Sequence, residues 1–361
     1  GGALRNPDRP YAGAAGRTGD ERRPGRRRRA APAAGRAVSR VAVLKGGRSL
    51  ERQVSLRSGG RVEDALERLG HEVVSIDAGL DLVRRLEESR PDAAFVVLHG
   101  RGGEDGTVQE LLEILGLPYT GSGVLACTRA IDKVRTKQLL IDAGVPTPDF
   151  FAFNETAFKE LGAADALPAI GERLRFPIVV KPAAGGSALG IKFAATPEDV
   201  PQALIAAFSY DDRVLLERYV EGRDLAVGIL DGADGAEALP VVEAIPRDDA
   251  LYDFEARYEF GRTDFRCPAD LPEQTAERAQ EVALQTYDLL GCAGFARVDL
   301  MLDDSGDEPM VLEANAIPGL TETSLLPQAA DAAGIGLDAL VERILALAFE
   351  RGDRSAAAAS S

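Results

Sequence analysis

The 361-residue sequence is poor in cysteine and histidine and has no tryptophan. Its three cysteines, Cys127, Cys267 and Cys292, are widely spaced and form no Cys-x-x-Cys pair, and it has two histidines. This scattered, odd-numbered set excludes a disulfide framework and a zinc site, and it is typical of reduced thiols in the cytoplasm. No apolar run approaches the ~18 residues of a membrane span, and the first residues lack an apolar segment of signal-peptide type. We therefore expect a cytoplasmic protein that has no membrane partner.

Positive charge is also scarce in most of the chain. The net charge is −16, but residues 1–40 hold eleven arginines against three acidic residues, which gives +8 there and −24 in the remainder. A body this acidic is a poor general binder of nucleic acid, and we expect no such partner. Residues 1–38, which are rich in Gly, Ala, Pro and Arg, have no hydrophobic period and are predicted to be a disordered tail. A basic nucleic-acid arm is the less favoured interpretation, because aromatic residues are not interleaved with the arginines.

Beyond this tail, strands and helices are predicted to alternate. Buried strands near residues 41–44, 71–76 and 93–98, with helices between them, predict a parallel sheet covered on both faces. Two further units of α/β or α+β type follow and meet the first around one cleft. The predicted division is a tail (1–38), an N-terminal α/β domain (39–123), a central domain (124–217), a C-terminal domain (218–350) and a disordered end (351–361).

A predicted hairpin near the carboxyl end brings acidic side chains together. Strands at residues 295–302 and 310–315 are joined by an Asp- and Gly-containing turn, and residues 246–268 before them are predicted to be a long polar loop. If the hairpin closes symmetrically, with residue 302 facing 310, Asp299 lies opposite Glu313, and Asn315 shares the face of Glu313. Facing carboxylates repel each other unless a cation intervenes, and these oxygen ligands suit Mg²⁺ that also carries phosphate. A solvated acidic face is the alternative.

A Gly-rich loop follows Lys181, which ends an apolar strand. Backbone N–H groups of such a loop can converge on phosphate oxygens, and the lysine supplies a point charge. The loop is neither a Walker A motif nor a Rossmann fingerprint, so a flexible hairpin is the alternative interpretation. The chain has only six lysines among its 42 basic residues, and a lysine at this position therefore favours the phosphate site.

Two further Gly-containing segments leave the carboxyl ends of predicted parallel strands, where open α/β sheets bind ligands. One is residues 46–52, and the other is residues 99–106, which begins with His99. Taken alone, a histidine in such a place is more often a hydrogen-bonded structural residue than a catalyst.

Together these segments resemble the D-alanine–D-alanine ligases, a family of ATP-grasp enzymes. The most specific stretches are residues 99–123 (HGRGGEDGTVQELLEILGLPYTGSG) and 312–324 (LEANAIPGLTETS). Shorter stretches at 46–56, 132–133, 181–190, 252–258 and 294–299 follow in the family's order. The resemblance covers residues 40–350. It implies an ATP-grasp fold of α/β and α+β type, with an N-terminal parallel-sheet domain and the nucleotide bound between the central and C-terminal domains.

The resemblance also implies roles for individual residues. The residues that it assigns to ATP binding are Lys133, Lys181, Glu217, Val220, Asp224, Arg257 and Leu312. The ligands that it assigns to two Mg²⁺ or Mn²⁺ ions are Asp299, Glu313 and Asn315. At the first D-alanine it places His99 and a hydrogen-bonded triad of Glu51, Ser187 and Tyr258. At the second D-alanine and the oxyanion it places Arg297, Gly319, Ser324 and Leu325.

The activity implied by the resemblance is ATP-dependent ligation of two D-alanines through an acyl phosphate, for peptidoglycan precursors, by a homodimer. Ala188 and Gly185 depart from the family's usual loop, and Asp224 and Arg257 stand where Glu and Lys are common. The second substrate therefore stays open between D-alanine, D-serine, D-lactate and another amino acid. A non-catalytic ATP-binding regulator is a further alternative. This alternative is disfavoured because the sequence keeps the residues implied in catalysis as well as those implied in nucleotide binding, and a binder would need only the latter.

Residues 1–37 lie outside every stretch that carries the resemblance. We expect a chain that begins at Val38 to keep the full ATP- and D-alanine-dependent turnover, because no implied site residue is removed. ADP release by the shortened and full-length chains, assayed side by side, measures this. A loss of turnover in the shortened chain would give the basic tail a role.

Overall fold

The computed structural model describes residues 38–247, 262–304 and 308–358. Within these ranges the strands form three sheets, and helices pack against them. None of the described helices is both long and apolar enough to cross a membrane. The mixture of one parallel sheet with antiparallel sheets confirms the predicted α/β and α+β class. The domain boundaries stay a prediction.

The first sheet is parallel, with the order β2-β1-β3. Its strands are β1 (Arg40–Lys45), β2 (Glu72–Asp77) and β3 (Ala93–Val96). The helices are α1 (Arg52–Arg68), α2 (Leu82–Ser89) and α3 (Thr107–Leu115). Val43 and Phe95 pack towards α1, whereas Leu44 and Val96 pack towards α2 and α3. Burial on both faces explains why β1 and β3 are continuous apolar runs, as predicted.

The second sheet is antiparallel, with the order β4-β7-β5-β6. Its strands are β4 (Phe150–Asn154), β5 (Ile178–Pro182), β6 (Lys192–Ala194) and β7 (Arg213–Arg218). The helices of this region are α4 (Val124–Ile131), α5 (Lys133–Ala143), α6 (Glu155–Glu160), α7 (Leu167–Leu174) and α8 (Val200–Phe208). Helices α7 and α8 bury one face of the sheet, and α5 packs on part of the other.

The third sheet has the order β11-β10-β8-β12-β13, with β9 also paired to β8. Its strands are β8 (Gly222–Gly232), β9 (Gly235–Ala238), β10 (Val242–Pro246), β11 (Thr263–Arg266), β12 (Phe295–Asp303) and β13 (Pro309–Asn315). Helices α9 (Glu273–Leu290) and α10 (Leu325–Ala332) lie on opposite faces, and α11 (Leu337–Ala358) follows.

The predicted polar loop at residues 246–268 contains a strand, so that part of the prediction is wrong. Strand β11 pairs with β10 with Ile245 opposite Asp264. Arg247 holds the Asp264 carboxylate with both Nε and Nη2, and Phe265 packs against the core. These contacts come from residues distant in sequence, so local polarity alone suggested a loop.

The predicted hairpin register is correct where it matters for the site. Asp299 lies opposite Glu313. At the turn, however, Leu302 pairs with Pro309 and not with Met310, because the register shifts by one residue after Asp299. The extra residue in β13 is Leu312, which makes this position a β-bulge. A bulge bends its strand and re-aims the neighbouring side chains.

The last helix continues past residue 350, where the sequence predicted disorder. It runs to Ala358. Arg351 donates hydrogen bonds to the carbonyl oxygens of Tyr119 and Gly121, and its guanidinium lies 4.1 Å from the centre of the Tyr119 ring. These tertiary contacts anchor the helix to the loop after α3, which the composition of the segment could not indicate.

We expect Arg351→Ala to lower the free energy of unfolding by about 1–2 kcal/mol, since it removes a cation–π contact and two hydrogen bonds to carbonyl groups. Urea unfolding measures the change. Arg84→Ala is a suitable control, because Arg84 forms only exposed ion pairs with Asp81 and Glu88 and its loss costs little. Equal midpoints for the two variants would contradict the proposed anchor.

Candidate active site

Segments from distant parts of the chain line one pocket. Its walls come from the end of α4, the start of α5, the Gly-rich loop after β5 and the end of β13. The lining residues are Glu104, Ala130, Ile131, Lys133, Gly185, Gly186, Glu313, Ala314, Asn315 and Ala316. The fold therefore brings one predicted phosphate lysine, two predicted metal ligands and the Gly-rich loop to the same place.

Glu51, at one corner of this region, immediately precedes α1 and is buried. Its carboxylate accepts a hydrogen bond from the Ser187 hydroxyl of the Gly-rich loop, which joins two members of the predicted triad. The backbone approaches closely, because a Cβ at Gly100 or Gly186 would lie 2.8 or 2.9 Å from Glu51 Oε1. The third triad member, Tyr258, lies outside the described residues, as does Arg257.

The pKa of Glu51 is raised to about 7 by burial, and the nearby Glu104 carboxylate adds to the rise. The Ser187 hydroxyl, His99 and Lys133 act in the opposite direction without offsetting burial. A carboxyl group in this state favours the approach of a further positive charge, which would restore its ionised form. The corner is thus suited to an ammonium group.

His99 links the first sheet to the loop before α10. Its Nδ1 lies 3.0 Å from Glu104 Oε1, and its Nε2 lies 3.3 Å from Ser58 Oγ. Ser58 Oγ in turn accepts a hydrogen bond of 3.1 Å from the Leu320 N–H. All three side chains are buried. The ring is therefore fixed at both nitrogens, beside the Glu51 corner.

Sequence reasoning did not assign Glu104 or Ser58 to the site. Glu104 stands five residues after His99 in the same Gly-rich run, which was a usable signal. Ser58 follows Glu51 by seven residues, so the two face the same side of α1. A serine in the buried stripe of an amphipathic helix was the corresponding signal, because a buried hydroxyl needs a partner.

The Gly-rich loop is held by Lys133, the first residue of α5. Lys133 Nζ donates a hydrogen bond of 2.5 Å to the Gly185 carbonyl and lies 3.3 Å from Glu313 Oε2. The loop backbone has positive φ at Gly185, Ser187, Ala188 and Gly190. These positive φ values fold the loop into tight turns, in which the Leu189 N–H donates to the Gly186 carbonyl and the Ile191 N–H to the Ala188 carbonyl. A turn of this kind is a common form of anion-binding loop.

Lys181 and Glu217 are both buried and form an ion pair across β5 and β7. Lys137, which sequence reasoning did not assign, lies 2.8 Å from the other Glu217 oxygen and is completely buried. Burial by itself raises the pKa of Glu217, but the two lysines outweigh it and hold the pKa below its usual value. The signal for Lys137 was its rarity, as one of six lysines, and its position four residues after Lys133.

The three predicted metal ligands lie together on β12 and β13. Asn315 Nδ2 lies 3.4 Å from Asp299 Oδ2, and Arg297 holds both Asp299 oxygens at 2.6 and 2.9 Å. Two carboxylates and an amide oxygen fit a hard divalent cation. No cluster of three His, Cys, Asp or Glu ligands occurs in the described ranges. An ion at this place would therefore complete its shell with phosphate oxygens and water.

The remaining predicted residues differ in how they face the site. Gly319 lies close to Ser324, since an added Cβ would be 2.7 Å from Ser324 Oγ and 4.0 Å from His99 Nε2. The Leu325 side chain is buried in the core below α10, so only its backbone is available to a ligand. Val220 is buried in the turn between β7 and β8, and Asp224 lies on β8 opposite Met301.

The wild type is expected to lose stability as Glu51 ionises towards neutral pH, and Glu51→Gln should avoid this loss. The folded state holds a proton on Glu51 up to about pH 7, whereas the ordinary pKa is 4.5. The folded state thus binds more protons over this range, and the free energy of unfolding falls as the pH rises from about 4.5 to about 7. We expect Glu51→Gln to be more stable than the wild type above pH 7, by on the order of 2 kcal/mol.

Urea unfolding at pH 5 and pH 8 measures this difference. Glu67→Gln, at an exposed position of the same helix, serves as the matched control and should leave the pH dependence unchanged. A wild-type advantage over Glu51→Gln at pH 8 would contradict the raised pKa.

Two family models together match most of this chain. The family model described as D-ala D-ala ligase N-terminus matches residues 77–122, and the one described as D-ala D-ala ligase C-terminus matches residues 139–346. The chain is 46% identical over 307 residues to a D-alanine–D-alanine ligase of Syntrophotalea carbinolica, which covers 85% of this chain and 95% of the relative. It is 44% identical over 315 residues to that of Desulforudis audaxviator, with 87% and 100% covered.

Solved structures agree with the sequence matches. The D-alanine–D-alanine ligase of Bacillus anthracis complexed with ATP is similar at a TM-score of 0.73 and 32% identity, over 88% of this chain and all of the other. That of Coxiella burnetii is similar at a TM-score of 0.74 and 25% identity, over 90% and 97%. The family models and these relatives show that the chain belongs to the D-alanine–D-alanine ligase family.

Proposed function

We propose that this chain joins two D-alanines to D-alanyl-D-alanine, with ATP as the energy source, for peptidoglycan precursor synthesis. The observation that carries the proposal is the hydrogen bond between Ser187 and Glu51. This bond connects the Gly-rich loop, which is suited to phosphate, to the Glu51 carboxylate, which is suited to an ammonium group. An enzyme that phosphorylates the carboxylate of an amino acid needs these two subsites side by side.

ATP would lie between the second and third sheets. Lys133, Lys181 and the N–H groups of the Gly-rich loop would contact the phosphates, in support of which the related Bacillus anthracis ligase is described as complexed with ATP. The adenine and ribose would meet Glu217, Val220, Leu312 and Asp224. Arg257, in the part of the chain outside the described residues, completes this proposed set.

Asp299, Glu313 and Asn315 would hold Mg²⁺ or Mn²⁺, with two ions proposed by family resemblance. The bound ions would neutralise negative charge on the phosphates of ATP. Arg297 and Lys133 already contact Asp299 and Glu313, so both carboxylates are oriented before any ion binds.

In the first step, Glu51 would bind the ammonium of the first D-alanine beside His99. The carboxylate oxygen of that D-alanine attacks the γ-phosphorus of ATP, the bond to the bridging oxygen breaks, and ADP leaves. Lys133 and Lys181 would stabilise the charge on the transferred group. Ser187 holds the loop over the acyl phosphate, which excludes water that would hydrolyse it.

In the second step, the ammonium of the second D-alanine gives a proton to solvent, and the resulting amine attacks the acyl carbon. The nitrogen gives a second proton to solvent as the amide forms. Arg297 and the Gly319 N–H would donate hydrogen bonds to the oxyanion of the tetrahedral intermediate, which then expels phosphate. Ser324 and the Leu325 backbone would position the second substrate. Tyr258 is proposed to complete the triad with Glu51 and Ser187, and the enzyme is proposed to act as a cytoplasmic homodimer.

Purified protein with ATP, Mg²⁺ and a panel of D- and L-amino acids and D-lactate tests this proposal. We expect ADP to form only with D-alanine present, and the product mass to be that of the dipeptide. A product with D-serine or D-lactate would change the second substrate. If no amino acid stimulated ADP formation, the chain would instead be an ATP-binding protein without ligase activity.

Arg297→Ala should abolish dipeptide formation, with kcat falling by about 10²-fold or more, because it removes an oxyanion donor. Arg68→Ala is a matched control, since Arg68 holds Asp338 in the same bidentate manner at an exposed position away from the pocket. Near wild-type dipeptide synthesis by Arg297→Ala would overturn the oxyanion assignment.

A further inference from the structure

The loop between β13 and α10 lies against helix α1. Its residues 316–321 are buried and belong to no helix or strand, so their backbone N–H and C=O groups need partners within the protein. The Leu320 N–H donates a hydrogen bond of 3.1 Å to Ser58 Oγ, and the Leu320 carbonyl accepts one of 2.7 Å from Arg61 Nη1. Helix α1 therefore holds Leu320 by both of its backbone polar groups.

Ser58 and Arg61 are well placed for this contact. They are three residues apart on α1, so they face the same side of the helix. Val62 and Leu66 of the same helix are buried in the core formed with the first sheet, which makes α1 a rigid support. Glu51, the proposed partner of the first D-alanine ammonium, immediately precedes this helix. One helix thus connects the first substrate position to the loop.

The residue before Leu320 is Gly319, whose N–H is the proposed donor to the oxyanion. Glycine is the least restricted residue of the backbone, so the direction of this N–H depends on its neighbours. Pro318 restricts the chain before it, because the proline ring fixes φ. The contacts of Leu320 with α1 restrict the chain after it. A larger residue does not fit at position 319, since an added Cβ would lie 2.7 Å from Ser324 Oγ.

Ser58 also joins this loop to His99. The Ser58 oxygen accepts from the Leu320 N–H, so its own hydrogen can be donated to His99 Nε2, which lies 3.3 Å away. His99 keeps a second contact, at Nδ1, with Glu104. For the Leu320 N–H, in contrast, Ser58 is the one acceptor among the described hydrogen bonds. Loss of the Ser58 hydroxyl should therefore affect the loop more than the ring.

We propose that Ser58 and Arg61 are positioning residues for the second step, which hold Leu320 so that the Gly319 N–H points at the oxyanion of the tetrahedral intermediate. The inference rests on the proposed ligation of two D-alanines and adds two residues to it. Phosphoryl transfer to the first D-alanine does not use the Gly319 N–H and should proceed without them. Amide formation should slow, since a displacement of about 1 Å can cost about 10²-fold in rate.

The two steps can be measured separately with ATP that is isotopically labelled at the oxygen bridging the β- and γ-phosphorus. The label moves to a non-bridging position when the D-alanine carboxylate takes the γ-phosphoryl group and returns it to ADP. This exchange reports the first step, whereas dipeptide formation reports both. In Ser58→Ala we expect dipeptide formation to fall about tenfold or more while the exchange rate stays within about twofold of the wild type.

Ser55→Ala is the matched control. Ser55 is fully buried on the same helix, and its hydroxyl likewise accepts from a backbone N–H, that of Gly46, and donates to a carbonyl, that of Val97. We expect the two serine variants to lose similar stability in urea, but only Ser58→Ala to change the ratio of exchange to dipeptide formation. Equal ratios in the two variants would show a merely structural role and overturn the inference. A larger fall in exchange than in dipeptide formation would also contradict it, because the effect would then lie at His99.

Arg61→Ala provides a second variant, which decides the matter if Ser58→Ala does not fold. It removes the contact with the Leu320 carbonyl and leaves His99 untouched. Its ion pair with Glu322 is long, at 3.6 Å, and Glu322 is 59% exposed, so the loss of this pair costs little. We expect the ratio of exchange to dipeptide formation to rise as in Ser58→Ala. Arg57→Ala, at an exposed position of α1, should leave the ratio unchanged. A wild-type ratio in Arg61→Ala would contradict the proposal.

The wild-type chain separates the two levels of inference. If it forms no dipeptide from ATP and D-alanine, the proposed function fails, and the positioning roles fail with it. If the wild type forms the dipeptide but the Ser58 and Arg61 variants keep its ratio of exchange to dipeptide formation, only the inference about these two residues is wrong.

Discussion

Buried or half-buried carboxylates paired with lysine or arginine organise the cleft of this protein. Asp299 is held by Arg297, Glu313 by Lys133, and Glu217 by two lysines. Removing one partner of a buried pair typically costs about 3–5 kcal/mol, because the other charge is left uncompensated. In a body of −24 net charge, these pairs use the few available cations where anions would bind. The same contacts hold the Gly-rich loop, the hairpin and the central sheet in a fixed relation.

Glu51 departs from this pattern, and this difference distinguishes the amino-acid side of the cleft from the phosphate side. No arginine or lysine forms an ion pair with Glu51 among the described contacts, and burial with Glu104 nearby raises its pKa to about 7. A ligand ammonium would supply the missing charge and restore the ionised form. On the phosphate side of the cleft, the protein's own cations therefore neutralise the carboxylates. On the amino-acid side, the negative charge of Glu51 is left for the substrate ammonium to neutralise. The cost is stability, which the folded protein loses as Glu51 ionises.

The hairpin shows both the strength and the limit of sequence reasoning. Alternation along β12 and β13 gave the faces of Asp299 and Glu313, because side-chain direction in a strand follows a period of two. Placing the two residues opposite each other also required residue 302 to face 310, which is wrong, and the extra residue in β13 offsets this error. The bulge at Leu312 was not predictable, since it depends on how β13 packs against its neighbours. Lys137 was missed for a related reason. Its rarity and its spacing from Lys133 were signals, but its carboxylate partner is 80 positions away in the chain, and the burial of the pair therefore could not be predicted.

The sequence by itself determined the fold class, the family and most of the residues gathered in the cleft. Apolar periodicity defines the strands and helices, and glycines with particular neighbours define ligand loops. The family and the roles of the other cleft residues come from the resemblance of whole motifs, not from such local patterns. Only the tertiary structure decided which carboxylate pairs with which cation and that α11 continues to Ala358. Burial and pairing between distant residues are set by packing of the three sheets, and pKa values follow from that burial. No local window of the sequence contains this information.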